Sequence, residues 1–229
     1  MSREVVATLD SMISERSLLK HPFYQAWTAG TLSMERLQNY AVEYYPHVAA
    51  FPRYLSAIHS RCAHIATRQA LLENLIEEER GAENHPELWL RFAEAIGVTR
   101  ERVLDASTSS SSIALVDEFT RLAESGHIPS GLAALYAYES QIPAVATAKI
   151  DGLKRFYGVT DERGLSFFAV HEKADVWHAR AGADLIAQHC ATDRDRELAI
   201  DATDRALAAL WKLLNVLVQV SRHGGLIAY

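Results

Sequence analysis

Residues 211–220, WKLLNVLVQV, decide the fold class. With Leu207 and Leu210 just upstream, Leu214, Leu217 and Val218 fall at helical spacing and form one apolar stripe. Lys212, Asn215 and Gln219 interrupt the run. It therefore reads as an amphipathic helix and not as the ~18 continuous apolar residues that would cross a membrane. Helical patterning recurs upstream, and no segment shows the strict alternation of a half-buried strand. Six prolines and eleven glycines fall mostly between these stretches. The reading is all-α, a bundle of seven or eight helices in one domain over residues 1–229.

Helices are expected over about Arg3–Ser14, then from a cap at Ser33 through about His47, with breaks or kinks at Pro46 and Pro52. HPFYQAWTAGTLS, between the first two, reads as a turn. A further helix runs to about Ala63, and the next runs from a cap at Thr67 to Glu79. Asn84, with Pro86 behind it, caps another that ends at Gly97. The serine run Ser107–Ser112 reads as a loop before a helix over Ile113–Ser125. One long helix is expected from Pro129 to about Tyr157, and another from a cap at Thr160 to about Cys190.

The chain has 229 residues, 49% hydrophobic and 23% charged, with a formal charge of −6. That acidic balance excludes a non-specific nucleic-acid binder, whose affinity rests on neutralising phosphates. The opening MSREVVATLDSM has no apolar signal core. Cys62 and Cys190 are too few for a disulfide scaffold and too far apart for a CxxC motif. A soluble cytoplasmic protein is expected, with no membrane and no nucleic acid among its partners.

The chemistry concentrates in three places. In AVHEKADVWHA, His171, Asp175 and His178 stand at i, i+4 and i+7, so a helix puts them within about 60° of one another. Two imidazoles and a carboxylate on one face suit Fe, Mn or Zn; the alternative is a solvated polar face. In IEEERGAENHPELW, Glu78 and His85 are seven apart, while Glu77, Glu79 and Glu83 read as solvent-facing. In LAALYAYESQIPAVATAK, Glu139 is the one acid and Lys149 the one cation between Gly131 and Ile150. A lone buried carboxylate must be paired, protonated or metal-bound. A direct Glu139–Lys149 pair is disfavoured, because ten helical residues separate them by about 15 Å. Three carboxylates and three imidazoles from three helices are the stoichiometry of a two-metal site in a helical bundle.

On these elements, with HPFYQAW near the start and YES at Glu139, the chain resembles the heme-oxygenase-like dimetal oxidases. Within them it resembles the family of the Chlamydia protein associating with death domains, and more widely the PqqC and TenA proteins. The resemblance spans essentially the whole chain and implies a metal set of Glu78, His85, Glu139, His171, Asp175 and His178. It implies Fe/Fe or Mn/Fe, O₂ as co-substrate with an external reductant, and a homodimer. It further implies oxygen-dependent, single-turnover synthesis of para-aminobenzoate for folate, with Tyr24 as ring source, Lys149 as amine donor and Tyr138 as a radical relay. A family tyrosine four residues before the first histidine of the strip is Phe167 here, so no tyrosyl role applies at that position. On the residues alone, Tyr24 reads first as a packing aromatic and Lys149 as a chain that can reach solvent, and the resemblance lifts both above those readings. The alternatives are a dimetal oxidase that cleaves an external fatty acid or amino acid, a PqqC-like oxidase without metal, and a death-domain interaction protein. The thiamin-hydrolase activity of TenA proteins is disfavoured, because Leu132–Tyr138 has no cysteine.

Overall fold

The computed structural model describes residues 2–219, the side chains of residues 2, 3 and 173–177 excepted. Among the described residues there are eleven α-helices, two short 3-10 turns and no strand. They are α1 (Ser2–Glu15), α2 (Pro22–Thr28), α3 (Met34–Arg61), α4 (Ile65–Glu79), α5 (His85–Ala95), α6 (Arg100–Leu104), α7 (Ser110–Glu124), α8 (Ile128–Glu139), α9 (Ile142–Phe156), α10 (Glu162–His189) and α11 (Asp193–Gln219). The all-α reading holds, with more and shorter pieces than the expected seven or eight. No helix is long and apolar enough to cross a membrane.

Each added boundary has a local cause. The expected helix from Pro129 to Tyr157 is two, because Pro143 has no N–H to bond the carbonyl four residues back, which belongs to Glu139. Proline thus makes Glu139 the last residue of α8. The HPFYQAW segment is not a turn: the ring nitrogen Nδ1 of His21 accepts the Phe23 N–H at 3.1 Å and starts α2, with Pro22 in its first turn. The end of the serine run is helical, because Ser109 caps α7 and its own N–H is held by the Glu43 carboxylate at 2.9 Å. Asp161, not Thr160, caps α10 by accepting the Gly164 N–H at 2.7 Å. His64, not Thr67, precedes α4, and Thr67 is buried inside it.

Helix α3 runs unbroken through Pro46 and Pro52, against expectation. Leu37, Tyr40, Ala41, Tyr44, Val48, Phe51, Leu55 and Ile58 all bury along it. That face outweighs the roughly 3 kcal/mol an interior proline costs. The caps at Ser33 and Asn84 stand as read.

At the centre lies α8, in which every residue from Pro129 to Glu139 is buried. It packs against α11, α10, α7 and α3. Gly131 lets α3 come close, since a Cβ there would lie 2.7 Å from the Ile58 side chain. Gly152 does the same for α9 and α2, where a Cβ would meet the Trp27 ring at 2.5 Å. These approaches bring α2, α3, α8, α9 and α10 around one interior.

Candidate metal centre

Four helices supply the polar interior. Glu78 sits in the last turn of α4, His85 is the first residue of α5, Glu139 ends α8, and His171 and His178 lie two turns apart on α10. All five are buried. Ligand atoms of Glu78, His85 and His171 lie within 4.8 Å of one another. The Nδ1 of His85 is 2.7 Å from Glu78 Oε2, yet that buried nitrogen has no partner in hydrogen-bond geometry. Close approach without alignment is the arrangement of two donors aimed at a shared point and not at each other. The His171 Nδ1–H donates to the Phe167 carbonyl at 2.6 Å, which leaves its Nε2 lone pair for a ligand. Burial and the neighbouring His85 hold His171 well below the usual imidazole range, so it stays in the neutral, metal-binding form.

Glu139 accepts from the Asn74 amide at 2.7 Å, and burial pushes its carboxyl up to about 7 against the opposing pull of His178 and Asn74. It borders two small cavities, one shared with Glu78 and His171 and one shared with Asn74 and His178. A carboxylate placed between two such spaces can serve both. His178 Nε2 meets Glu77 Oε2 at 2.9 Å, so Glu77 is not purely solvent-facing as its sequence position implied. The Asp175 side chain lies outside the described residues. Carboxylates and neutral imidazoles with one orphaned nitrogen are a donor set that fits iron or manganese.

A second pocket adjoins the first. Lys149 is 4% exposed and does not reach solvent. Its Nζ donates to the Tyr40 hydroxyl at 2.6 Å and lies 5.1–6.0 Å from the ring centres of Tyr24, Trp27, Tyr40, Tyr44, Trp89 and Phe168. Burial lowers its amine to about 7. It makes no ion pair with Glu139; rings, and no carboxylate, surround it among the described residues. Tyr24, also buried, places its hydroxyl 3.4 Å from that of Tyr40. Tyr40 thus stands between Tyr24 and Lys149.

Aromatic side chains join the two pockets. Tyr40 and Tyr44 have ring centres 5.1 Å apart, Tyr44 hydrogen bonds Tyr138, and Tyr138 lines the cavity of Glu78 and His171. Phe167 packs on His171 at 4.3 Å and on Trp89 at 4.8 Å. Sequence reasoning singled out Tyr24, Lys149 and Tyr138 but missed Tyr40, Tyr44, Trp89 and Asn74. Tyr40 and Tyr44 are four apart in NYAVEYY, a spacing indistinguishable from ordinary core.

A family model described as iron-containing redox enzyme matches residues 38–211. A protein of Nitrosomonas europaea named 4-aminobenzoate synthase is 42% identical over 216 residues, covering 90% of this chain and 88% of its own. A protein of the same name from Chlamydia trachomatis is 42% identical over 207 residues, covering 90% and 89%. A pyrroloquinoline-quinone synthase of Pseudomonas aeruginosa is 24% identical, covering 92% and 88%. Among solved structures, a TenA homologue from Pseudomonas syringae superposes with a TM-score of 0.81 at 19% identity, covering 94% and 93%. A CADD-like protein of unknown function from Nostoc punctiforme superposes at 0.76 and 17% identity, covering 96% and 97%. At those identities the structures speak for the fold; the extent of the family match and the 42% relatives establish that this chain belongs to the heme-oxygenase-like family of iron-containing redox enzymes.

Proposed function

We propose that this protein is an oxygen-dependent para-aminobenzoate synthase that consumes its own Tyr24 and Lys149 in a single turnover. Glu78, His85, Glu139, His171, Asp175 and His178 would hold two metal ions, Fe/Fe or Mn/Fe, whose chemistry when bound is the activation of O₂ with electrons from an external reductant. The observation that carries the reading is the Tyr24–Tyr40–Lys149 cluster beside that ligand set. The two relatives named 4-aminobenzoate synthase support it.

The atoms agree with it. A tyrosine side chain is a six-carbon ring with a methylene on Cγ and a hydroxyl on Cζ, para to each other. The product carries a carboxylate and an amine in the same relation. The Tyr24 Cα–Cβ bond must therefore break, Cβ must be oxidised to the carboxyl level with O₂ as oxidant, and nitrogen must replace the Cζ oxygen, which leaves as water, while the Lys149 Cε–Nζ bond breaks. Lys149 holds its amine 5.4 Å from the Tyr24 ring centre. An amine lowered to about 7 is substantially neutral at neutral pH and carries the lone pair a nucleophile needs. Tyr40 accepts an N–H from that amine and fixes its direction, and the surrounding rings exclude water.

The test is anaerobic loading with Fe(II) and Mn(II), then O₂ with reductant, reading free para-aminobenzoate and intact protein mass. Product with a matching mass loss in the peptide containing Tyr24 is expected. Tyr24→Phe is expected to bind metal and release none; product at the unmodified protein's yield from that variant overturns the self-consuming route. Lys149→Arg is expected to consume O₂ with product cut at least tenfold, and an unchanged yield removes Lys149 as donor.

A further inference from the structure

An open groove of about 560 Å³ lies between α1 with the turn after it and the parts of α8, α9 and α10 near Glu139, Lys149 and His178. Lys20 belongs to the turn immediately before the helix of Tyr24. Tyr136 and Ser140 flank Glu139 in sequence, Ala144 precedes Lys149 by five residues on α9, and Arg180 follows His178 by two on α10. Tyr136 borders both this groove and the inner cavity of Glu139 and His178.

Its lining joins apolar side chains and serines to two cations, Lys20 and Arg180. Leu19, Ala144 and the tyrosine ring offer flat apolar surface. Lys20 donates to a neutral acceptor, the Ser14 carbonyl, at 2.7 Å, so its charge is not cancelled. Arg180 is exposed and has no hydrogen-bond or ion-pair partner among the described residues. Asp10, the one acid on the wall, accepts the Tyr136 hydroxyl at 2.6 Å. Two cations against one engaged carboxylate leave the groove net positive, and the Ser140 hydroxyl is buried there without a hydrogen-bond partner. Cations beside an apolar wall favour a ligand with an anionic head on a flat apolar body.

We propose that this groove binds a small aromatic carboxylate and is the station through which the product leaves. The choice of an aromatic carboxylate rests on the proposed function; the charge and shape of the groove do not. The full chain is titrated with para-aminobenzoate and, separately, with its neutral isostere 4-aminobenzamide, by calorimetry and ligand-observed NMR. Saturable binding of the acid is expected, at least tenfold tighter than the amide and weakened at least tenfold by Arg180→Glu and by Lys20→Glu. Both side chains are on the surface, so melting temperatures are expected to match the unmodified protein. Absence of saturable binding, equal affinity for acid and amide, or indifference to both charge reversals overturns the site. The acid–amide comparison needs no variant and decides the matter even where a variant fails to fold. The two readings also fail separately. Groove binding without product on O₂ exposure removes the synthase and keeps the site, whereas product without groove binding removes the site alone.

Discussion

Burial drives the Lys149 amine from its usual 10.5 down to about 7, and the direction of that shift fixes a pH dependence. Between pH 7 and 10.5 the unfolded chain holds one more proton at this position than the folded chain, so stability rises with pH across that window. Below pH 7 both states are protonated and the full cost of a buried ammonium is felt. Lys149→Met is therefore expected to melt higher than the unmodified protein at pH 6–7, by about 3–5 kcal/mol in unfolding free energy. The difference should fade by pH 10.5, which thermal melts across that range will show; a gain independent of pH is incompatible with a titrating lysine. Tyr40 is the matching residue on the other side of the bond. Tyr40→Phe leaves the fold intact within about 1–3 kcal/mol but strips Lys149 of its hydrogen bond and Tyr24 of its neighbour. Product yield should fall at least tenfold with metal content unchanged. Nothing in the sequence distinguishes Tyr40 from its neighbours, because a phenol at helical spacing looks the same whether it fills space or holds an amine. Lys149 was legible for the opposite reason: a lone cation in an apolar stretch has few ordinary explanations.

Among the elements, α4 is held in an unusual way. Its buried residues are Thr67, Leu71, Asn74 and Glu78, so Leu71 is its one fully buried apolar side chain, with Leu75 partly buried against the core, while Ile65, Leu72 and Ile76 face outward. Polar contacts replace the missing apolar face: Thr67 to His189 at 2.8 Å, Asn74 to Glu139 at 2.7 Å and Glu77 to His178 at 2.9 Å. A helix docked through a ligand set depends on the ligand. Stripping metal with a chelator is expected to raise amide exchange in α4 at least tenfold more than in the apolar-faced α3, and Fe(II) or Mn(II) should restore it. Equal exchange in both states means α4 owes nothing to metal. The contact between α9 and α2 rests instead on shape. Gly152→Ala forces a methyl to within 2.5 Å of the Trp27 ring and strains the bond from Trp27 Nε1 to the Lys149 carbonyl. A loss of about 1–3 kcal/mol is expected in denaturant unfolding, the range for overpacked cores. The helices themselves were readable where caps and stripes agree, as at Ser33, Asn84 and along α11. They were misread where one residue overrules a pattern: Pro143 splits a helix, and the packed face of α3 overrides Pro46 and Pro52.

Across the whole molecule, Glu78, His85 and His171 bring ligand atoms within 4.8 Å of one another, Glu139 and His178 are buried along the adjoining cavities, and Asp175 lies on α10 between His171 and His178. Spacing and residue chemistry made the Glu78, His85 and His171 group legible as candidate ligands. The joining of the two pockets was not legible, since it depends on which faces of α2, α3, α5 and α9 meet. Tyr24 lies wholly within this core, with Phe23, Trp27 and Tyr40 around it. Removing such a side chain costs about 3–5 kcal/mol, a large share of the 5–15 that holds a typical domain together. A chain that has given up this ring is therefore left with a void at its centre, and Tyr24→Ala imitates it. That variant should melt roughly 10 °C lower and be cut by a nonspecific protease many times faster. On the proposed single-turnover route the spent molecule would carry its own mark for disposal, and output per cell would follow the rate of translation and not the amount of standing protein.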